Sequence, residues 1–149
     1  MRWETKDFDS MGWHDVRVHA FRLEEGENGC GTLVLDIDYI LEWFETRPYF
    51  RFRVAPATLR FHEVTDFRLS LDFPSLSAGF GPFSLAGITR EEFTFPNGYH
   101  SYKWRLDINW PVGELTFTSP QFVQEIAGPE VTSERQSLLP SERSRAGIY

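Results

Sequence analysis

Two histidines and an aspartate lie close together near the amino terminus, in residues 13–19 with the sequence WHDVRVH. Imidazole and carboxylate groups could ligate a metal ion or form an acid–base pair. His14 and His19 are five positions apart, and an odd spacing in a strand puts two side chains on opposite faces. They could meet only if the chain bends at Asp15. In the structural alternative, Asp15 or Ser10 caps a turn, Trp13 packs in the core and the histidines bond the backbone.

A pair of carboxylates, Asp36 and Asp38, is predicted on one face of a strand. Such a pair could serve a hydrolase or bind a metal ion through oxygen ligands, together with the two histidines. A solvated charge ladder is the preferred interpretation, because the predicted register places Glu42 opposite Arg51 and Asp38 diagonal to Arg53. We therefore assign no catalytic residue.

A locally basic set of side chains follows on an otherwise acidic chain. It comprises Arg51, Arg53, Arg60, His62 and Arg68. Guanidinium groups bind carboxylates and phosphates, so this set is the preferred functional candidate on the strand faces, for an anion or an acidic patch of a protein partner.

Three aromatic side chains fall outside the predicted strand pairs and are further candidates for a binding site. They are Trp13, Phe80 and Phe83. Most of the other aromatic residues lie on alternate positions of predicted strands, which is typical of a core. An aromatic side chain outside that pattern is freer to serve a ligand or partner.

Signatures of cofactor binding and of nucleophilic catalysis are absent from the sequence. It contains no phosphate-binding or dinucleotide-binding glycine loop, no Gly-x-Ser-x-Gly, no Cys-x-x-Cys and no His-Glu-x-x-His. The single cysteine, Cys30, cannot form an internal disulfide and has no local group that would activate it. We expect no cofactor and no metal, and the sequence favours a protein that is not an enzyme.

The composition excludes several classes of partner. The 149 residues include 15 Lys and Arg against 22 Asp and Glu, a formal net charge of −7. Nucleic acids and anionic membrane surfaces attract basic proteins, so we expect neither as a partner. We expect no signal peptide, because the first residues contain no apolar stretch, and no apolar run approaches the roughly 20 residues of a membrane helix. A single cysteine fits a reducing cytoplasm.

Alternating apolar and polar residues dominate from Val16 to Phe117 and predict antiparallel strands with one buried face. Closing hairpins at four places brings core residues opposite core residues. These places are Thr46, Ala55-Pro56, Val64 and Val112-Gly113. The sequence thus predicts an all-β domain over residues 1–127, an antiparallel meander of about eight strands. The meander forms either a β-sandwich or a small barrel, and both remain open.

Two segments depart from the alternation. Residues 74–87 are rich in Gly, Pro and Ser and predict a long loop. Residues 128–149 are polar and contain Pro129 and Pro140, so they predict a flexible tail or at most a short docked helix around residues 133–139.

Three sequence segments resemble a family of small uncharacterised bacterial proteins. They are WHD with VHAF at 13–21, LDIDYILEW at 35–43 and FRVAPATL at 52–59. The resemblance extends over most of the chain to residues 136–138. The family has no known activity, so the resemblance implies no catalytic residues and only a bacterial, cytoplasmic protein.

Three functional hypotheses follow. The preferred one is a non-enzymatic binding or accessory domain with a protein partner, as a monomer or a homodimer. The second is a barrel that binds a small apolar ligand in an interior cavity of roughly a few hundred Å³ lined by Phe and Trp. The third is a metal-dependent or acid–base enzyme in which His14, Asp15 and His19 converge with Asp36 or Asp38.

Overall fold

The computed structural model describes residues 1–46, 49–73, 82–110 and 112–144, and this part of the chain is mainly antiparallel strand. The strands are β1 (Arg2–Glu4), β2 (Arg17–Glu25), β3 (Gly31–Thr46), β4 (Tyr49–Leu71), β5 (Phe83–Thr94), β6 (His100–Trp110), β7 (Gly113–Ser119), β8 (Gln121–Ile126) and β9 (Val131–Ser133). The predicted all-β fold class is confirmed. Short 3-10 helices lie at Thr5–Ser10 and Glu27–Gly29, and α1 spans Pro140–Ser144. None of the described helices has the length and apolar character needed to span a membrane.

The strand pairings close into a ring. β4 pairs with β3, β3 with β2, β2 with β5, β5 with β6, β6 with β7, and β7 returns to β4. β4 belongs to both sides of the ring. Its residues 49–64 pair with β3, and its residues 65–71 pair with β7. β8, β1 and β9 extend the sheet beyond the first half of β4. The junction between β2 and β5 is short, with two register pairs in the described chain.

Two of the four predicted hairpins were wrong, because Ala55-Pro56 and Val64 lie inside the single strand β4. Pro56 is tolerated there because its nitrogen faces a gap between neighbours. On that edge β8 ends opposite Ala57 and β9 begins opposite Val54, and between them the Pro56 carbonyl accepts the Ala127 N–H at 2.8 Å. The missing proline N–H therefore removes no ladder hydrogen bond.

The second predicted turn is a bend rather than a hairpin. Glu63 and Asp66 have positive φ angles of 50° and 51°, and the register with β7 shifts between Thr65 and Arg68. Such irregularities turn a strand without ending it. They carry β4 from one side of the ring to the other.

The other two hairpins form, but their registers differ from the prediction. A β-bulge between Ile40 and Glu42 places Trp43 opposite Phe52 instead of Phe50. At the last hairpin, Ile108 is opposite Gly113 instead of Phe117. The loop lengths were misjudged. Phe52 is buried as predicted, whereas Trp43 and Phe50, which were also predicted to face the core, are exposed.

The interior of the ring is filled by aromatic side chains. The Phe61 ring centroid lies 4.8 Å from that of Phe117 and 5.0 Å from that of Trp104, and Trp104 lies 5.6 Å from Phe122. Trp13 is also buried, and its Nε1 donates to the Gln124 Oε1 at 2.9 Å. Trp13, Phe61, Trp104, Phe117 and Phe122 all belong to one buried hydrophobic cluster.

The carboxy-terminal segment, defined as residues 128–144, lies against the outside of the sheet. β9 pairs with β4, Leu138 is buried in the same hydrophobic cluster as the core, and α1 follows. The short helix predicted around residues 133–139 was wrong. The helix begins at Pro140, because proline fits the first turn, where no N–H is needed. The flexibility of the tail stays a prediction.

Candidate functional site

The two amino-terminal histidines belong to separate groups. The chain does bend at Asp15, whose φ is 61°, but the bend leaves His14 exposed. The His14 Nε2 lies 3.4 Å from the Asp15 Oδ2, and its ring stacks on Trp43. His19 instead contacts Asp38, with 2.8 Å between Nε2 and Oδ2. The proposed catalytic groups form two separate pairs, His14 with Asp15 and His19 with Asp38, and the full constellation does not form.

Asp15 has a structural role, but its side chain links distant elements instead of capping a turn. Its N–H donates to the Leu85 carbonyl at 2.8 Å, which ties the turn to β5. Its carboxylate accepts from the Asn109 Nδ2 at 2.8 Å and from the Gln136 Nε2 at 3.1 Å. The Asp15 side chain thus joins the turn, β6 and the carboxy-terminal segment.

The basic residues do not form one cluster, because the hairpins that would have stacked them are absent. All five lie along β4, from Arg51 to Arg68, over on the order of 50 Å of extended chain. Arg53 is neutralised by Glu42 at 3.3 Å and Glu130 at 3.0 Å. Arg68 lies 3.6 Å from Asp66.

The remaining candidates are dispersed as well. Arg60 lies opposite Val123 on β8, and His62 borders a separate polar cleft that includes Cys30. Phe80 lies outside the described residues.

The charge-ladder interpretation holds for Asp36 and fails for Asp38. Asp36 Oδ2 accepts from the Arg22 Nη1 across the strands at 3.2 Å, and both side chains reach solvent. Asp38 is 0% exposed, and its register partners are Pro56 on β4 and Arg17 on β2. The physical reason is that the carboxy-terminal segment covers this part of the sheet, which strand periodicity does not reveal.

The Asp38 carboxylate accepts hydrogen bonds from the carboxy-terminal segment and contacts His19 of β2. Its Oδ1 accepts from the Arg143 Nε at 3.1 Å, and its Oδ2 accepts from the Leu138 N–H at 2.8 Å and the Arg143 Nη2 at 3.2 Å. Burial acts to raise the pKa of Asp38, but His19, Arg143 and the Leu138 N–H outweigh it and hold that pKa below its usual value. Asp38 is therefore an ionised anchor for the carboxy-terminal segment.

A β-bulge directs His19 toward this anchor. The register between β2 and β3 shifts between Val18 and Ala20, so His19 is the additional residue of β2. Bulges re-aim a side chain that would otherwise follow the alternation. The buried His19 Nε2 lies 2.8 Å from the Asp38 Oδ2 as an ion-pair contact, and it has no partner with hydrogen-bond geometry among the described residues.

A groove lies beside His19, between β2 and the second half of β4. Beyond Val18, no described strand pairs with the edge of β2 that faces away from β3. Residues 65–71 of β4 pair with β7 on one edge, and within the described chain their other edge has no partner. We call the space between these two open edges the β2–β4 groove.

Two clefts mark the ends of the β2–β4 groove. The first has a volume of about 570 Å³, and its lining is Val18, His19, Ala20, Phe21, Leu71, Phe73, Pro82 and Phe83. The second has a volume of about 420 Å³ and includes Leu23, Glu24, Glu25, Val64 and Phe67. The groove therefore brings together two residues named from the sequence, His19 and Phe83.

The groove is apolar along its length and acidic at one end. Phe21 and Leu23 are 36% and 56% exposed, which is unusual for large apolar residues of the inward parity. Glu24 pairs with Arg22 at 3.1 Å, whereas Glu25 has no ion-pair partner in the described chain. This arrangement suits the binding of an extended apolar segment with a basic end.

Sequence reasoning missed Phe21 and Leu23. Their alternation matches that of core residues, and they are exposed because β2 lacks a neighbour on one side. Edge status depends on the pairing of distant strands, so no local signal identified these two residues.

Comparisons with protein-family models, curated proteins and solved structures found no match to this chain. Among the described residues, no group of three or more His, Cys, Asp or Glu side chains is arranged to hold a metal ion.

Proposed function

We propose that this chain is a non-enzymatic protein-binding β domain whose partner adds an extended segment to the open edge of β2. The observation that carries this proposal is the β2–β4 groove, in which two unpaired strand edges border apolar clefts. The resemblance to small bacterial proteins supports a bacterial, cytoplasmic setting.

Strand addition supplies what the edge of β2 lacks. An open edge presents unpaired N–H and C=O groups, and an added strand satisfies them through main-chain hydrogen bonds. Proteins commonly protect such edges with charges, and β2 does carry Arg22, Glu24 and Glu25. Residues 19–21 carry no Asp, Glu, Lys or Arg, and they border the larger cleft. This portion is the centre of the proposed interface.

The groove also indicates the chemistry of the partner. Alternate side chains of an added strand point to one face, so apolar residues two positions apart can enter the apolar floor beside Phe21 and Leu23. A lysine or arginine at one end of the segment would pair with Glu25, which has no counter-ion among the described residues. The partner segment is therefore extended, apolar at alternate positions and basic at one end.

Selection of peptides on the full chain tests this function. The probe is a display library of ten-residue peptides with Val, Ile, Leu or Phe at alternate positions and Lys or Arg at one end. We expect enrichment, and the selected peptide should bind Phe21→Arg at least tenfold more weakly, because the arginine places a charge in the groove. The matched control is Phe50→Arg, since Phe50 is an exposed aromatic on the distant β3–β4 hairpin.

Two outcomes would overturn the proposal. One is no enrichment over a matched library with acidic ends. The other is a selected peptide whose affinity falls with Phe50→Arg and not with Phe21→Arg.

A further inference from the structure

The β2–β4 groove and the carboxy-terminal segment meet at one pair of side chains. His19 borders the larger cleft of the groove, and its Nε2 contacts the buried Asp38 carboxylate at 2.8 Å. The same carboxylate holds the Leu138 N–H and the Arg143 guanidinium of the segment. One short chain of contacts therefore connects the tail to the groove.

We propose that docking of the carboxy-terminal segment controls strand binding in the β2–β4 groove by fixing His19 through Asp38. This inference rests on the proposed function. It makes residues 138–143 a regulatory element and gives His19 a positioning role at the edge of the interface.

The contacts at Asp38 show why docking matters. With the segment in place, Leu138 and Arg143 supply three of the donor contacts to Asp38, and His19 supplies the remaining contact. When the segment leaves, the carboxylate gains access to water and loses its fixed orientation. The His19 ring then loses the group that holds it against the sheet. A wall of the groove that was ordered before binding becomes mobile, and the ordering cost lowers affinity.

The coupling must also act in the opposite direction. If the docked segment strengthens peptide binding by a given factor, bound peptide strengthens docking by the same factor. Hydrogen exchange at the Leu138 amide, which donates to the Asp38 Oδ2, reports docking. Saturation with peptide should therefore slow exchange at Leu138.

The test compares two arginines of the same segment in the full chain. Arg143 contacts Asp38, whereas Arg135 contacts Glu142 and not Asp38. Arg143→Gln should weaken binding of the selected peptide about fivefold or more, and Arg135→Gln should change it less than about twofold. In a His19→Gln background, Arg143→Gln should lose its effect. Leu138→Ala, which loosens docking without removing a charge, should act in the same direction as Arg143→Gln.

A measurement without any peptide separates this inference from the proposed function. The NMR signals of Phe21, Phe83 and the His19 ring should shift in Arg143→Gln and stay unchanged in Arg135→Gln. Unchanged groove signals, despite faster exchange at Leu138, would overturn the coupling. If no peptide binds the wild-type chain, the proposed function fails, and these signals still decide whether tail and groove are coupled.

Discussion

At the scale of single residues, Asp38 contributes more to the structure than its surface-like position in β3 indicates. Asp36 and Asp38 both occupy outward-facing positions of β3, but of the two side chains only that of Asp38 is fully buried. The difference comes from residues about one hundred positions later in the chain, which cover Asp38 and donate to it. Strand periodicity predicts the face of a side chain and does not predict what covers that face.

Replacement of this carboxylate should destabilise the protein more than replacement of its neighbour. Asp38→Asn leaves Arg143 with a neutral partner in a buried site, and we expect a loss of about 3 kcal/mol in the free energy of unfolding. Asp36→Asn removes a solvent-screened pair with Arg22 and should cost less than about 1 kcal/mol. Urea denaturation of the two variants checks this, and equal losses would contradict the anchoring role of Asp38.

The pKa of Asp38 also predicts a pH dependence. Burial opposes ionisation, but the His19, Arg143 and Leu138 donors prevail and keep the pKa of Asp38 below its usual value. A lowered pKa in the folded state means that the stabilisation is complete above the ordinary aspartate pKa of about 4 and is lost as pH falls through the lower, folded-state value. The stability difference between wild type and Asp38→Asn should be constant from about pH 5 to 7 and shrink below about pH 4. If the stability difference between wild type and Asp38→Asn stayed constant below about pH 4, the lowered pKa of Asp38 would be contradicted.

At the scale of elements, part of β4 was predicted correctly from the sequence and part was not. The alternation of its residues predicted strand and the burial of Phe52, Leu59 and Phe61, whereas Phe50 and Leu69, which were also predicted to face inward, are exposed. Ala55-Pro56 predicted a turn because proline usually interrupts a ladder. The strand continues because the edge partner of β4 changes from β9 to β8 at that residue. That change of partner exists only in three dimensions, so the sequence could not indicate it.

A glycine at the junction of β7 and β4 gives a prediction for ring closure. A Cβ at Gly113 would overlap the backbone oxygen of Ser70, whereas a Cβ at Gly87 in β5 would meet nothing within 4 Å. Gly113→Ala should therefore cost about 1–3 kcal/mol of unfolding free energy, because the strands must separate. Gly87→Ala should change it by less than about 1 kcal/mol. Thermal or urea unfolding of the two variants measures these losses. Equal losses would show that the contact between β7 and β4 has room for an added methyl group.

At the scale of the whole molecule, the ring is complete in its core and open along one seam. Aromatic residues fill the interior, as their alternation predicted. Among the described residues, no strand pairs with the facing edges of β2 and of residues 65–71 of β4, and the β2–β4 groove lies between them. This seam distinguishes the molecule from a ring in which every neighbouring pair of strands is hydrogen-bonded along its length.

The sequence indicated part of this site. It drew attention to His19 because imidazole groups do chemistry, and to Phe83 because it fell outside the predicted strand pairs. It also named Arg51, Arg53, Arg60, His62 and Arg68, which do not converge. The groove itself was not predictable, since it arises where two strands that are distant in sequence pass each other without pairing.

Backbone hydrogen exchange with and without a selected peptide tests the central claim most directly. Strand addition should slow exchange at alternate amides of β2 within residues 20–25 by at least about tenfold, because those N–H groups gain acceptors on the open edge. Amides of the β3–β4 hairpin, residues 43–46, should be unaffected. Peptide binding without slowed exchange in β2, or with slowed exchange confined to the β3–β4 hairpin, would contradict the assignment of the β2–β4 groove as the binding site.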